Sequence, residues 1–288
     1  DVLVTRGSVL GPVHLAVAAG AGCDTLAVRR RPTVALALTG DEVVTQGSPL
    51  PGQVRDSFGL PRPGIVEALG GEVVATERVG DSAASTALAL ALSHSIPGGA
   101  GMPAPASLGL GASLPGDARQ HVSIPPADVV VTTGGTGTSA ADHVRAVLRE
   151  AGAEFVVDGV DVRPGGPAFL ARTPDGRWFV GLPGNPLAAL LTCMTLLQPL
   201  LAGLLERPLP ELRPLELGAP IAPARAHTLV RPFTRRPDPA RPGVDVAHPT
   251  PWHGAAMLRG LADADGVLVA PGAGAEAGTL VPSLPLPW

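Results

Sequence analysis

Lysine and tyrosine are absent from this 288-residue chain, and asparagine occurs only at position 185. Without lysine the Walker phosphate loop is excluded, because that loop needs a Lys directly after its last glycine. Every strongly basic side chain is therefore an arginine, and no basic run exceeds Arg29–Arg31. With a formal net charge of −4, nucleic acid is not an expected partner. Cysteine is scarce too. Cys23 and Cys193 lie far apart in apolar contexts and read as buried thiols, not as a disulfide or metal pair, which suits a reducing cytoplasm. No apolar run is long enough to span a bilayer without Pro or charge, so no membrane association is expected. Glycine (37) and proline (33) are abundant, and they punctuate the chain so heavily that pattern, more than propensity, must carry the analysis.

The most informative stretch is Val129–Asp142, VVVTTGGTGTSAAD. Val129–Thr132 is a β-branched run that reads as a buried strand, followed by a turn through Thr133, Gly134, Gly135 and Gly137 and a helix from about Ser139. This is the strand–turn–helix unit of an open α/β sheet, whose ligands bind beyond the carboxyl ends of the strands. Glycines there allow close approach to a phosphate, and a helix start favours anions. The spacing is not G-x-G-x-x-G. Asp142 has two readings: with Ser139 as N-cap it sits at N3 and suits the helix dipole, or it is a carboxylate beside an anion site that holds a metal ion. A second turn, Gly181–Pro186 (GLPGNP), places Pro183 and Gly184 at the central positions of a type II turn. Asn185 then caps, and Pro186 opens, an apolar helix running to about Leu205.

Around these, Thr33–Leu38 reads as an apolar strand ending in Thr39-Gly40-Asp41-Glu42, two carboxylates at the same ligand edge that suit Mg²⁺ or are simply solvated. Gly52–Ser57 reads as a loop, Pro63–Leu69 as a short helix and Glu72–Ala75 as a strand. Asp81 opens a helix through Leu92 as its N-cap. Ser95–Pro126, rich in Gly, Pro, Ala and Ser, reads as a mobile surface insertion. The Ser139–Ala151 helix is amphipathic, with Asp142, Arg145, Arg149 and Glu150 as its polar positions. Glu154–Val157 is a strand, Pro164–Pro167 a further turn at the ligand edge, and Phe169–Arg172 with Trp178–Gly181 a hairpin. Beyond Pro208, recurrent prolines and short alternating segments indicate a small β domain.

Taken together and in order, TTGGTG with Asp142, VRPGGP at Val162–Pro167, and GLPGNP resemble the molybdopterin-binding domain of the molybdenum-cofactor proteins. TGDE at Thr39–Glu42, GQVRDS at Gly52–Ser57 and GLPGNP are similar to the MoeA/gephyrin-E branch, the molybdopterin molybdenumtransferases. The TTGGTG spelling is closer to the MogA/MoaB adenylyltransferases. The resemblance implies a mainly parallel α/β sheet with helices on both faces, plus a C-terminal β domain. It divides the chain into a linker remnant (1–27), a molybdopterin-binding domain (28–207) and the β domain (208–288), without the family's N-terminal substrate domain.

The implied reaction moves molybdenum from molybdate into adenylylated molybdopterin, assisted by Mg²⁺, in a cytoplasmic homodimer. The resemblance assigns Asp142 and Asp81 to catalysis, and Asp41, Glu42 and Asp142 to the metal. Thr133, Gly134, Gly135, Gly137 and Ser139 would cradle phosphate. Pro183, Gly184, Asn185 and Pro186 would line the pterin or molybdate side, with Arg163 as the cationic anchor. Three spellings depart from the family pattern: Arg163 and Gly166 stand where it writes lysines, Ala255-Ala256 where it writes Ser-His, and Phe58 where it writes Asn. Two rival functions stay open, an adenylyltransferase and a binding protein without catalysis.

Overall fold

The computed structural model describes residues 2–5, 8–59, 61–80, 82, 126–134, 143–224 and 227–288. The helix expected from Asp81, the insertion up to residue 125, and Gly135–Asp142 lie outside the described residues.

The first sheet is built on β1 (Thr33–Thr39), with β4 (Glu72–Val79), β5 (Val129–Thr133), β6 (Glu154–Asp158), β8 (Phe169–Arg172) and β9 (Trp178–Leu182). Its order is β4-β1-β5-β9-β8-β6. The first four strands run parallel, and the β8–β9 hairpin and β6 add two antiparallel pairings. β1 and β5 are apolar nearly throughout because parallel strands are covered on both faces. Alternation then sorts their side chains. Leu36, Val131 and Val180 face α2 (Arg62–Ala68) and α4 (Pro186–Leu204), while Ala37, Val130 and Phe179 face Val144, Val147 and Leu148 of α3 (His143–Glu150). Helices therefore cover both faces. Truncating a fully buried side chain such as Leu36 to Ala should cost roughly 2–5 kcal/mol.

Helix α4 carries the GLPGNP turn at its start. By length and composition it could cross a membrane, but Leu187, Leu191, Met194, Leu197 and Leu201 are fully buried against the sheets. Its middle, Cys193–Leu197, is a π-helical turn just before Pro199. Proline has no N–H to continue the regular ladder, and the wider turn relieves its ring clash with the preceding carbonyls. Burial in this helix pushes the Cys193 thiol up to about 12, so it is an inert packing group.

The second sheet comprises β10 (Arg213–Glu216), β11 (Thr228–Pro237), β12 (Asp245–Pro249), β13 (Gly266–Pro271) and β14 (Leu280–Pro285), in the order β10-β14-β13-β11-β12 and antiparallel. One face closes its own cluster through Leu229, Phe233, Leu268 and Val281. From the other, Val230, Val267 and Leu284 join the cluster around α4, so the two sheets share a core. A further link is β7 (Val162–Arg163), which pairs in parallel with Thr228–Leu229. The turn expected only at the edge of the first sheet is thus also held by the second. GQVRDS is not wholly a loop: β3 (Val54–Arg55) pairs with β2 (Val43–Val44). Exposed apolar side chains gather in the opening segment, including Leu3, Val13 and Leu15 of and before α1 (Pro12–Gly20).

Candidate functional site

Register places the turns. Leu38 pairs with Thr133 and Thr133 with Leu182, so Gly40, Gly134 and Gly184 all emerge at the carboxyl edge of the parallel strands. Gly134 has φ of 73°, and a Cβ there would stand 2.6 Å from Thr39 Oγ1, whose hydroxyl donates to Thr133 O. Only glycine fits both the backbone and the space. The Gly134 N–H already donates to Leu182 O at 3.3 Å. A phosphate cradle would therefore rely on the amides after it, which lie outside the described residues together with Gly135, Gly137, Ser139, Asp142 and Asp81. Gly184 is not in the left-handed region, so the PGNP turn is not type II as expected. A Cβ on Gly184 would approach the Gly134 Cα to 3.7 Å, which shows how closely the two turns come together.

Asn185 occupies the N-cap position with Pro186 after it, but its carboxamide makes no capping hydrogen bond. The expected side-chain cap is replaced from elsewhere: the Ala188 N–H donates to Ala255 O at 3.1 Å. The exposed Asn185 side chain is left on the wall shared by two adjoining cavities.

One cavity, of about 580 Å³, lies over the Thr39–Gly40 and Thr133–Gly134 turns. Its far wall holds a charge cluster that sequence analysis passed over. Asp56 accepts from the Phe58 and Gly59 N–H groups at 3.0 and 2.6 Å and pairs with Arg78 and, at 3.8 Å, Arg62. Burial raises the Asp56 carboxyl, but those amides and the two guanidinium groups together outweigh it and hold the pKa below the usual range. Arg62 is itself buried, which lowers its pKa to about 10, and it stacks on Phe58 at 4.4 Å while donating to Phe58 O. Phe58, the residue standing in place of Asn, thus anchors this wall. Glu42 lines the cavity; Asp41 is exposed and does not.

The other cavity, of about 1090 Å³, opens between the two sheets. Arg163 and Arg231 both line it. Arg231 is buried, donates to Arg163 O at 3.0 Å, and has its pKa lowered by burial and then by the Arg163 charge. Two guanidinium groups facing one cavity, with Asp161 as the carboxylate on the same lining, can attract an anion. Arg231 was missed because nothing in an alternating strand marks which arginine meets a residue 68 positions earlier; the β7–β11 pairing reveals it. Gly166 and Ala255, at the departures from the family pattern, supply no side-chain donor to the same cavity.

For Mg²⁺, the described residues alone are insufficient. Among them no group of three His, Cys, Asp or Glu side chains converges. Asp56 is already held by two arginines, and one carboxylate, Glu42, falls short of the oxygen set that Mg²⁺ takes.

Comparison with known proteins agrees with this architecture. Residues 116–203 match the family described as "Probable molybdopterin binding domain". The chain is 31% identical over 205 residues to a molybdopterin molybdenumtransferase of Nostoc sp., covering 70% of this chain and 40% of that protein. It is 29% identical over 274 residues to molybdopterin molybdenumtransferase 2 of Mycobacterium tuberculosis, covering 92% of this chain and 59% of that one. A crystal structure of the molybdopterin biosynthesis MoeA protein from Pyrococcus horikosii superimposes with a TM-score of 0.71 at 25% identity, over 99% of this chain and 62% of the other. The chain thus spans less than two thirds of the length of these relatives. The glycine turn at the sheet edge, the order of the three motifs and these matches make the chain similar to proteins of the MoeA type, with residues 116–203 matching the molybdopterin-binding family.

Proposed function

We propose that this chain serves molybdenum cofactor biosynthesis by inserting molybdenum from molybdate into adenylylated molybdopterin, with loss of AMP. The observation that carries this reading is the pair of cavities meeting at Asn185, one over the glycine turns and one faced by Arg163 and Arg231. Molybdate is a dianion, and two guanidinium groups beside the Asn185 turn suit it. Burial makes Arg231 gain most from a counter-ion, while exposed Arg163 can turn to meet one. Phosphate and pterin belong to the adjoining cavity, with Thr133, Gly134, Gly135, Gly137 and Ser139 on the phosphate side. Pro183, Gly184, Asn185 and Pro186 stand between the two ligands. Asp142 and Asp81 are the acidic groups we assign to the chemistry; Asp142 with Glu42 would hold Mg²⁺, and Asp41, outside the cavity, is left out of that site. The domains we assign are 28–207 and 208–288, with 1–27 as a linker, and the working form as a cytoplasmic homodimer.

Titration calorimetry with molybdate and tungstate tests the binding half. Both should bind, and Arg163→Ala or Arg231→Met should each weaken binding about tenfold or more, as expected for a charge-assisted contact of about 1.5–3 kcal/mol. Release of AMP on mixing adenylylated molybdopterin with molybdate tests the chemistry. If neither binding nor release occurs, the proposal fails. A second reading, binding without catalysis, is favoured by Gly166 and Ala255-Ala256, which themselves supply no side-chain donor to those cavity walls. It predicts binding with no AMP release. The adenylyltransferase rival predicts instead that ATP is consumed with molybdopterin.

A further inference from the structure

Arg145 was expected on the solvent side of an amphipathic helix, yet it is buried. Its Nη1 donates to Asp158 Oδ1 at 2.9 Å and its Nη2 to the Pro167 carbonyl at 2.7 Å, and the guanidinium lies 4.8 Å from the centre of the Phe169 ring. Each contact belongs to a different part of the site. Arg145 itself sits in the first turn of the described part of α3, the helix that follows the glycine turn. Pro167 closes the Arg163–Pro167 turn. Phe169 packs so closely on Gly181 that a Cβ there would fall 2.0 Å from the ring, immediately before Leu182–Asn185. One buried planar fork therefore holds the Pro167 turn directly and reaches the Gly181–Asn185 turn through Phe169, from the helix that follows the glycine turn.

We infer that Arg145 is a positioning residue that sets the Arg163–Pro167 turn against the rest of the site, and so sets the geometry of the anion cavity. The role requires arginine: a lysine can meet Asp158 or the Pro167 carbonyl, but a single ammonium cannot present two parallel donors and a stacking plane together. The neighbouring Arg149 reaches the same Asp158 at 2.7 Å from an exposed position and touches none of the turns, which makes it the natural control.

The inference rests on the anion cavity proposed above, and its test separates the two. Hydrogen exchange is measured on the full chain for Arg145→Lys, Arg145→Met and Arg149→Gln, at the Gly159, Val160 and Ala168 amides that close this turn. Tungstate affinity is measured alongside. Exchange at those amides should quicken about tenfold in both Arg145 variants, with amides of the second sheet at β13 unchanged, and tungstate should bind at least fivefold more weakly. Arg149→Gln should leave both readouts as in the wild type. Unchanged exchange and affinity in Arg145→Lys would overturn the inference, as would equal quickening at β13, which marks general loosening. If the wild type does not bind tungstate, the cavity assignment fails alone, and the exchange pattern still decides the role of Arg145. If Arg145→Met does not fold, Arg145→Lys carries the test by itself.

Discussion

The two ends of the parallel strands are built on opposite principles. At the amino end, Asp128 is closed by four donors: both Nη atoms of Arg30 at 2.6 and 2.7 Å, and the amide and hydroxyl of Thr33 at 2.7 and 2.9 Å. The same hydroxyl accepts from the Asp128 N–H at 3.0 Å, so this end is a finished knot. At the carboxyl end, the Asn185 carboxamide makes no capping bond, Glu42 faces a cavity, and Arg163 and Arg231 stand side by side against their mutual repulsion. One end satisfies its polar groups internally, and the other holds them ready for a ligand. On the function proposed above, the first end serves stability and the second serves ligand binding in an otherwise continuous sheet.

Mutations at the two ends should therefore fail differently. The largest effect is expected from Gly134→Ala, which forces a side chain into a left-handed position against Thr39. It should lose about 1–3 kcal/mol in chemical denaturation and abolish ligand binding. Next comes Asp128→Asn, a loss of about 1–2 kcal/mol at neutral pH with binding unaffected. The Arg30 hydrogen bond holds the Asp128 carboxyl down from 3.8 to about 2, with burial opposing and Thr33 assisting. A depressed folded-state pKa means that this stability is present above about pH 4 and is lost as pH falls towards 2. The gap between wild type and Asp128→Asn should close over that window, and a gap constant with pH would refute the assignment. Asn185→Ala should lie below about 0.5 kcal/mol, less than an ordinary N-cap loss, because no capping bond is removed, while affinity for molybdate or the pterin nucleotide falls. The smallest change in stability should come from Gly166→Lys. Its φ is not left-handed, and a Cβ meets only carbonyl oxygens at 3.5 and 3.6 Å, so the chain should tolerate the residue and bind tungstate severalfold more tightly. Loss of affinity there would show that the turn does not face the anion.

Local pattern was enough to find the elements that bracket the site. The apolar runs of β1 and β5, the hairpin from Phe169 and the Pro186 helix start are each written within a dozen residues, and the structure has all of them. What could not be read locally is whatever depends on pairing between distant segments. Arg145 looks solvent-facing because helical periodicity cannot foresee a carbonyl from Pro167 beneath it. Arg231 looks like any strand residue until β7 is laid beside β11. Asn185 obeys every rule for a helix cap, yet the cap comes from Ala255, seventy residues later. The type II turn failed too: Pro-Gly favours it in isolation, but Gly184, packed beside Gly134 across the sheet edge, does not take the positive φ it needs.

The hydrogen bond from Ala188 to Ala255 also bears on how such a chain can be inherited. A helix whose first-turn amide at Ala188 is satisfied by the loop that links β12 to β13 of the second sheet cannot be shuffled freely into new company. Replacing residues 208–288 with an unrelated module would strand that amide beside buried leucines, a penalty of about 1–3 kcal/mol before any lost packing is considered. Recombination would thus tend to carry the α/β unit and the β unit together, as a single heritable pair.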